Sequence, residues 1–333
     1  MHSVFIAALL FSSFSFHTRS WKMIRISGYA QGTTYSVTYY ATDSIVHQSQ
    51  TDSLLNSIDS SFSLYKPYSL INRFNESEKG ITVNNHFIKV FKKSAEAYKK
   101  TAGLFDITIY PLVQAWGFGV KKTNTPPGHE EIEELKKCCG SHLLDLKGNH
   151  LLKKKSCVQI DMNGIAQGYS VDMLAALLER YGIKNYIVEL GGEIRVKGRK
   201  QPSGEKFTIG IESPAGDDFG NHSMQKIIRV NEGAITTSGS YRNYYESNKK
   251  KNSHLIDPRS GYPVQNELIS VSVFAKDAVT ADAYDNALML MGLKQALSFL
   301  KKRNDIAAYF IYTKKNGETA DTASSGFYTL MNH

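Results

Sequence analysis

The spacing of apolar residues limits the fold of this 333-residue chain more than any other feature of its sequence. Residues 24–40 alternate apolar and polar side chains around residues 31–33, which predicts two strands joined by a tight turn. Apolar spacings of three and four then predict helices over residues 43–61 and 84–101, the second capped by Asn84. A β-hairpin followed by helices is therefore expected in this part of the chain.

Residues 121–148 are polar and rich in turn-forming residues, so they are expected to form a loop-like excursion from the core. A third helix is predicted over residues 165–181, and two more over residues 277–291 and 293–301. Runs of strands with helices grouped between them are typical of an α+β fold, here a single domain over residues 23–333 with mostly antiparallel sheets and packed helices. The later strands are predicted at residues 185–190, 193–197, 207–212, 226–230, 268–274 and 306–312.

Residues 1–22 are predicted to be a leader. The apolar run at residues 4–16 is interrupted only by serines and is too short for a membrane span, so the core of a signal peptide explains it better. No Lys or Arg precedes the run and no Ala-x-Ala cleavage site follows it, which leaves open a cytoplasmic product that starts near Met23. Export of the protein is the expectation.

The charge of the chain restricts its partners. Forty Lys and Arg residues against thirty-one Asp and Glu residues give a net charge of +9, which suits a nucleic acid, an anionic membrane surface or a phosphate-rich ligand. The basic runs at residues 121–122, 153–155, 249–251 and 301–303 are scattered over predicted loops and helix ends and lack interleaved aromatic residues. No nucleic-acid partner is therefore expected.

Three cysteines are too few for a disulfide framework. Cys138 and Cys139 are adjacent, a spacing that strains any bond between them, and with Cys157 they show no zinc-ligand spacing. All three are predicted to be buried or half-buried free thiols.

Three glycine-containing segments could contact a ligand. Residues 101–119 combine glycines with aromatic side chains, although a helix exit into a buried turn would have the same composition. Residues 161–172 place Asp161 and small residues before a helix start, where exposed amides suit a phosphate and a carbonyl could bind a metal; Asp161 could equally be a helix cap. The paired glycines in residues 189–193 allow close approach of a ligand, and a tight hairpin explains them equally well.

Two later segments carry more polar groups. Residues 236–261 bring hydroxyls, the His254 imidazole and a carboxylate into one predicted loop region. Farther along, Asp282 and Asn286 are four residues apart and share a helix face, with Asp285 beside them. Clustered side-chain oxygens of this kind suit a hard cation such as Mg²⁺, although a solvated polar helix face is the alternative.

In this order, the five segments resemble those of the ApbE family, the FAD:protein FMN transferases. The resemblance extends from the turn at Gln31 to Gly292, which is most of the chain. It implies a Mg²⁺-dependent enzyme that cleaves FAD and attaches the FMN half through a phosphoester bond to a threonine of a target flavoprotein, with release of AMP.

The resemblance also implies roles for individual residues. Magnesium would be bound by the main-chain oxygen of Gly164 and by three side chains of the late helix, Asp282, Asp285 and Asn286. His254 is the candidate for handling the proton of the attacking hydroxyl or for stabilising the transition state, with a purely structural histidine as the alternative. The flavin would be contacted by Gln31, Tyr65, Leu104, Phe105, Asp106, Asp161, Gln167 and the backbone around Ile256.

The chain departs from the family pattern in three ways. Gln31 stands where the family commonly has Met, so a packing contact with the flavin is expected to differ. Asn286 stands where the family commonly has Thr, and its amide oxygen can replace a hydroxyl as a neutral ligand. The lipid-anchor cysteine that often follows the leader is absent, which suggests a protein that is soluble in the periplasm or attached by an uncleaved leader to the outer face of the inner membrane.

Two other functions stay open from the sequence. A FAD pyrophosphatase would use water in place of the threonine, and a FAD-binding or storage protein would bind FAD without turnover. The retained metal ligands argue against pure storage. The family resemblance points to subunits of membrane redox pumps, or to other exported flavoproteins, as the acceptors.

Overall fold

The computed structural model describes residues 20–123, 125–216, 222–239, 244–247 and 250–331. Most of the expected leader, residues 1–19, lies outside this part of the chain, as do residues 240–243 and 248–249 of the polar segment 236–261. None of the helices described is both long enough and apolar enough to cross a membrane.

Every pair of neighbouring strands in the described residues is antiparallel. The prediction of an α+β fold with mostly antiparallel sheets is therefore confirmed. In chain order the strands are β1 (Lys22–Ala30), β2 (Thr33–Ala41), β3 (Gly80–Thr82), β4 (Leu144–Lys147), β5 (His150–Lys153), β6 (Tyr186–Leu190), β7 (Glu193–Lys197), β8 (Phe207–Gly216), β9 (His222–Val230), β10 (Glu232–Gly239), β11 (Tyr244–Ser247), β12 (Lys250–Ser253), β13 (Leu268–Ala275), β14 (Ile306–Thr313) and β15 (Thr319–Ala323).

Eight strands form the largest sheet, in the order β1-β2-β6-β7-β10-β13-β14-β15. The hairpin predicted at residues 31–33 joins β1 to β2, and β7 has the predicted bounds. Successive side chains of β14 point to opposite faces, so Tyr309 packs with Ile209 of β8 on one face and Phe310 packs with Leu288 on the other. The sheet is thus covered on both faces.

The longer helices lie on the face of the large sheet opposite the β8–β9 hairpin, whereas the C-terminal helix packs on the hairpin side, with Phe327 stacked on Tyr309. The predicted cap of the helix after β3 is confirmed, since the Asn84 side chain accepts a hydrogen bond from the Phe87 N–H at 3.0 Å. In chain order the helices are α1 (Gln48–Phe62), α2 (Leu70–Glu76), α3 (Asn85–Lys100), α4 (Tyr110–Ala115), α5 (His129–Lys136), α6 (Asn163–Arg180), α7 (Ala278–Leu300) and α8 (Ser325–Met331).

Two predictions about secondary structure were wrong, and the prediction of two late helices was right. Residues 121–148 contain α5 and β4, because Ile132 is fully buried beside Leu112, with Leu135 packed against the same cluster, and this makes the polar segment part of the fold. The two late helices are confirmed: they follow one another within α7, and Gly292, whose φ of +70° is left-handed, separates them. Residues 236–239 belong to β10 and pair with β13, so they are not a loop.

Cys138 and Cys157 form a disulfide with a Cα–Cα distance of 5.6 Å, and only Cys139 is a free thiol. The prediction of three free thiols was therefore wrong for two of them. The bonded cysteines meet because the segments after α5 and β5 run side by side, with the Lys154 N–H donating to the Leu143 carbonyl at 2.9 Å. A separation of 19 residues in sequence does not reveal such an approach.

Helices α6 and α7 touch at Gly168. A β-carbon at this position would lie 2.4 Å from the carbonyl oxygen of Ala278 and 2.7 Å from Asp282 Cβ, so the two helices can approach this closely only at a glycine. The Gly168 N–H donates to Asp282 Oδ2 at 2.8 Å. The helix contact therefore also orients a carboxylate of the expected metal site.

Gly168→Ala should lower the free energy of unfolding by about 1–3 kcal/mol, because the added methyl group forces two packed helices apart. Urea denaturation of both proteins would measure the change. Gly326→Ala is the matched control, since Gly326 lies in α8 and a β-carbon there would meet Ala307 Cβ at an ordinary 3.4 Å. Wild-type stability of Gly168→Ala would contradict the close helix contact.

Candidate active site

A cleft of about 770 Å³ lies where α6 begins, beside α7 and the end of β10. Its volume suits a ligand of nucleotide size or larger. The structure brings together at this cleft all but one of the residues selected from the sequence: Tyr65, Leu104, Phe105, Asp106, Asp161, Gly164, Gln167, His254, Ile256, Asp282, Asp285 and Asn286.

Gln31 is the exception, because it lies in the β1–β2 turn and does not line the cleft. Its φ of +53° is left-handed, which is uncommon for a residue with a side chain. The side-chain amide donates to Ser170 Oγ at 2.8 Å and accepts from the same hydroxyl at 3.1 Å. Gln31 thus fastens the turn to α6, where Gln167 belongs to the cleft lining.

Asp282 and Asp285 are buried carboxylates, with 5% and 1% of their surface exposed. Asp282 Oδ2 accepts the hydrogen bond from Gly168, and Asp285 Oδ2 accepts one from the Thr236 hydroxyl at 2.7 Å. The other oxygen of Asp285, Oδ1, has no hydrogen-bond partner among the described residues. A buried carboxylate oxygen without a partner is costly unless a proton or a cation neutralises it.

Burial raises the pKa of both carboxyl groups. The pKa of Asp282 rises to about 7, mainly through desolvation, with a further contribution from the charge of Asp172. The pKa of Asp285 lies well above its ordinary value because of desolvation first and then the negative charges of Asp282 and Glu193. A cation bound between these groups would favour the ionised form of each.

The oxygens near these carboxylates fit a hard divalent cation. The Asn286 amide nitrogen, Nδ2, lies 3.5 Å from the Gly164 carbonyl oxygen, and Asn286 Oδ1 accepts from the Ser238 hydroxyl at 3.0 Å. Coordination of a metal through Asn286 requires the amide to rotate so that Oδ1 takes the position of Nδ2. The Ser238 hydroxyl can then accept a hydrogen bond from Nδ2, because a hydroxyl both donates and accepts. Carboxylate, carbonyl and amide oxygens are ligands that Mg²⁺ accepts.

Neutral oxygens are essential to this candidate metal site. Among the residues described, no group of three His, Cys, Asp or Glu side chains is placed to hold a metal ion. The expected ligand set contains two carboxylates, with the Gly164 carbonyl and the Asn286 amide as the neutral donors. Such a set leaves coordination positions for water and for the phosphate oxygens of a ligand, as Mg²⁺ usually requires.

Asp106 and Asp161 bring two more carboxylates to the cleft. Asp106 Oδ1 accepts hydrogen bonds from the N–H and hydroxyl of Thr108 and from the Ser141 hydroxyl, at 2.7–2.9 Å. Asp161 Oδ1 accepts from the Asn163 N–H at 2.7 Å, and burial raises the pKa of Asp161 to about 6. Both side chains are oriented by the protein before any ligand binds.

His254 lies beside an aromatic wall of the cleft. The Phe118 ring packs edge-on against the imidazole, with 6.4 Å between ring centroids. The Trp116 Nε1–H donates to the Gly261 carbonyl at 2.8 Å and so fastens the loop after His254 to the segment that follows α4. An imidazole held in this way is placed to contact a hydroxyl group bound in the cleft.

Three polar residues of the site were missed by sequence reasoning. Glu193 is buried and lines the cleft, while Thr236 and Ser238 donate hydrogen bonds to Asp285 and Asn286. Thr236 and Ser238 are two apart on a strand and therefore face the same side, a signal that the loop prediction for this segment concealed. The paired glycines drew attention to residues 189–193 but gave Glu193 itself no role.

Acidic residues outnumber basic residues in the lining of the cleft. Lys122 is the only Lys or Arg among the described lining residues. The ionised forms of these acidic side chains would repel a ligand that carries phosphates, unless a metal cation balanced the charge. The acidic residues of the lining are Asp106, Asp161, Glu193, Asp282 and Asp285.

Asp285→Asn should stabilise the metal-free protein by about 1–3 kcal/mol at pH 8, because the amide does not titrate and so removes the free energy that the unfolded wild type gains by ionising this carboxyl group. The raised pKa fixes the sign: folded wild type retains a proton that the unfolded chain loses above the ordinary pKa of 3.8, so wild-type stability falls as the pH rises from there. The gap in melting temperature between Asp285→Asn and the wild type should thus shrink towards pH 4.

Thermal unfolding from pH 4 to pH 8, with and without Mg²⁺, would measure the gap. Added Mg²⁺ should narrow it by stabilising the wild type more than the variant. A gap that depends on neither pH nor Mg²⁺ would count against a cation site at Asp285.

Several known proteins are similar to this chain in sequence and in fold. Residues 31–310 match the ApbE family. An FAD:protein FMN transferase from Vibrio cholerae is 36% identical over 317 residues, covering 93% of each chain, and one from Haemophilus influenzae is 35% identical, covering 91% of this chain and 90% of its own. The structure of the flavin transferase ApbE from V. cholerae is similar with a TM-score of 0.83 and 33% sequence identity, and the match covers 93% of this chain and 99% of that one. The apo structure of the flavinyl transferase ApbE from Pseudomonas stutzeri is similar with a TM-score of 0.83 and 30% sequence identity, covering 94% of this chain and 98% of that one. The chain belongs to the ApbE family.

Proposed function

We propose that the protein is a magnesium-dependent FAD:protein FMN transferase. The buried pair Asp282 and Asp285 carries the proposal, because its unpartnered oxygen lies in an acidic cleft that can accept a phosphate ligand only together with a cation. In the reaction, the hydroxyl oxygen of an acceptor threonine bonds to the FMN phosphorus of FAD. The bond from this phosphorus to the bridging oxygen breaks, and AMP leaves with that oxygen.

Gly164, Asp282, Asp285 and Asn286 are the residues that would hold Mg²⁺. When bound, the ion supplies positive charge that neutralises the pyrophosphate and the charge that develops in the transition state. The hydrogen bonds from Gly168 and Thr236 hold the two carboxylates in place beforehand. The fold therefore prepares the site, so little reorganisation is needed during the reaction.

The apolar part of the cleft suits the flavin ring. Leu104 and Phe105 are buried, whereas Tyr65 lines the cleft with 71% of its surface exposed. An exposed aromatic ring at a cleft gains buried area when a planar ligand stacks on it. Asp106 and Asp161 then offer carboxylate oxygens to the polar edge of the ring, together with the Gln167 amide and the backbone at Ile256.

His254 accepts the proton of the attacking threonine in this proposal. A hydroxyl is a weak nucleophile at neutral pH, and transfer of its proton to a positioned base speeds attack. The contacts made by Phe118 and Trp116 keep the imidazole and its loop at the cleft wall.

We also infer that the protein acts outside the cytoplasm. The Cys138–Cys157 disulfide supports export, because such bonds persist in oxidising compartments. A position in the periplasm or at the outer face of the inner membrane would bring the enzyme to exported flavoproteins, such as subunits of membrane redox pumps. The finding of the protein only in the cytoplasm, with Cys138 reduced, would contradict this location.

Incubation of the purified protein with FAD and Mg²⁺, with and without an acceptor flavoprotein, tests the function. Mass spectrometry should find FMN on an acceptor threonine, with one AMP released for each FMN attached. Release of FMN and AMP without labelling would instead indicate a pyrophosphatase. Recovery of unchanged, bound FAD would indicate a storage protein, and either result would overturn the proposal.

His254→Asn should lower the rate of FMN transfer about 100-fold or more while FAD affinity changes by less than about twofold, because proton transfer is needed only in the transition state. Single-turnover transfer and equilibrium titration with FAD would separate the two effects. Equal losses of affinity and rate would point to a structural histidine.

Asn286→Thr should keep the enzyme active with a shifted Mg²⁺ requirement, because it exchanges one neutral oxygen ligand for another of different reach. Asn286→Leu has a similar size but no oxygen, so its Mg²⁺-dependent turnover should be lost. Mg²⁺ titrations of FMN transfer by the three proteins would show this. Superimposable titration curves would mean that residue 286 does not touch the metal.

A further inference from the structure

The Cys138–Cys157 disulfide joins two segments that both lead into the cleft. Ser141 lies three residues after Cys138 and donates its hydroxyl to Asp106 Oδ1 at 2.7 Å. Asp161 lies four residues after Cys157 and lines the same cleft. The bridge is therefore close in sequence to Ser141, which holds the Asp106 carboxylate, and to Asp161 itself. Both carboxylates are expected to face the flavin.

Hydrogen bonds beside the bridge connect these segments. The Lys154 N–H donates to the Leu143 carbonyl at 2.9 Å, next to the disulfide. The Asp161 N–H donates at 2.7 Å to the carbonyl of Ile107, which is the residue after Asp106. The segments after α5 and β5 and the turn that carries Asp106 thus form one bonded unit.

The segment at residues 138–141 fixes one oxygen of Asp106. Of the three hydrogen bonds to Oδ1, two come from Thr108 within the same turn, and the third comes from Ser141. The Gly140 N–H also donates to the Thr108 hydroxyl, so the segment orients both partners of the carboxylate. Oδ2 takes part in none of these bonds and can accept one from a ligand N–H, such as that of a flavin ring.

We propose that Ser141 is a positioning residue for Asp106, and that the Cys138–Cys157 disulfide holds Ser141 in place and thereby sets the affinity for FAD. The inference rests on the proposed function, which makes FAD the ligand. Without the bridge, residues 138–141 can move away from Asp106, whose carboxylate then turns from the orientation that suits the ligand. None of the bonds described reaches the metal-site residues on α7, so the rate at which bound FAD reacts should change little.

The neighbouring thiol, Cys139, provides a matched control. Its sulfur lies 3.5 Å from the Leu135 carbonyl, and burial raises the pKa of the thiol to about 12. A thiol that stays protonated does not attack a disulfide at neutral pH. Cys139→Ser therefore changes a sulfur next to the bridge without opening it.

Equilibrium titration with FAD and steady-state kinetics of designed variants would test the proposal. Ser141→Ala and the double variant Cys138→Ser/Cys157→Ser should each raise the dissociation constant and KM for FAD about three- to tenfold, with kcat changed by less than about twofold. Ser141→Thr should restore affinity because it retains the hydroxyl. Cys139→Ser should behave as wild type.

Reduction of wild type by dithiothreitol should reproduce the double variant. Dithiothreitol gives two electrons and two protons to the bridge, forms the two thiols and becomes a cyclic disulfide. Because loss of a disulfide also lowers stability, binding is measured well below the melting temperature of each protein. Reoxidation should restore the original affinity.

Wild-type affinity in Ser141→Ala, the double variant and the reduced protein would exclude the positioning role and leave the proposed function intact. Parallel losses of affinity and kcat, unrelieved by Ser141→Thr, would show that the bridge is merely structural and would overturn the inference. A wild-type protein that does not bind FAD would overturn the proposed function together with this inference.

Discussion

The contact between helices α6 and α7 at Gly168 is the constraint on which the site depends. It brings a backbone N–H to Asp282 and sets α7 deep enough for Asp285 to be buried. Removal of two like charges from water costs free energy, which hydrogen bonds from Gly168 and Thr236 offset only in part. The helix contact thus creates a negative site that a divalent cation would complete.

The other side of the cleft has a different construction. It is formed by the segment that follows α3 and by the loop that follows β12. Leu112 and Ile132 of the segment pack with Ile256 of the loop in a small apolar cluster. Hydrogen bonds, the Trp116 contact and a disulfide fasten this segment to the rest of the fold. The tethered wall therefore carries Leu104, Phe105, Asp106 and His254, whereas the candidate metal ligands lie on packed helices.

Sequence reasoning succeeded where the signal was local. Alternation predicted the first hairpin, the Asn84 cap predicted the start of α3, and a spacing of four placed Asp282 and Asn286 on one helix face. Most of the individual site residues came from the family resemblance, since residues 101–119 taken alone are equally typical of a buried turn. The resemblance did not reveal the position of Gln31, whose side chain bonds to Ser170 and does not line the cleft.

By itself the sequence determined the α+β class and the α7 face that carries the carboxylates, because periodicity and helical spacing are properties of neighbouring residues. Only the tertiary structure decided that Cys138 meets Cys157, that Thr236 and Ser238 face α7, and that Asp285 is buried with one oxygen unpartnered. These features depend on the approach of segments distant in the chain. Burial, hydrogen-bond partners and raised pKa values arise only once such segments exclude water from each other.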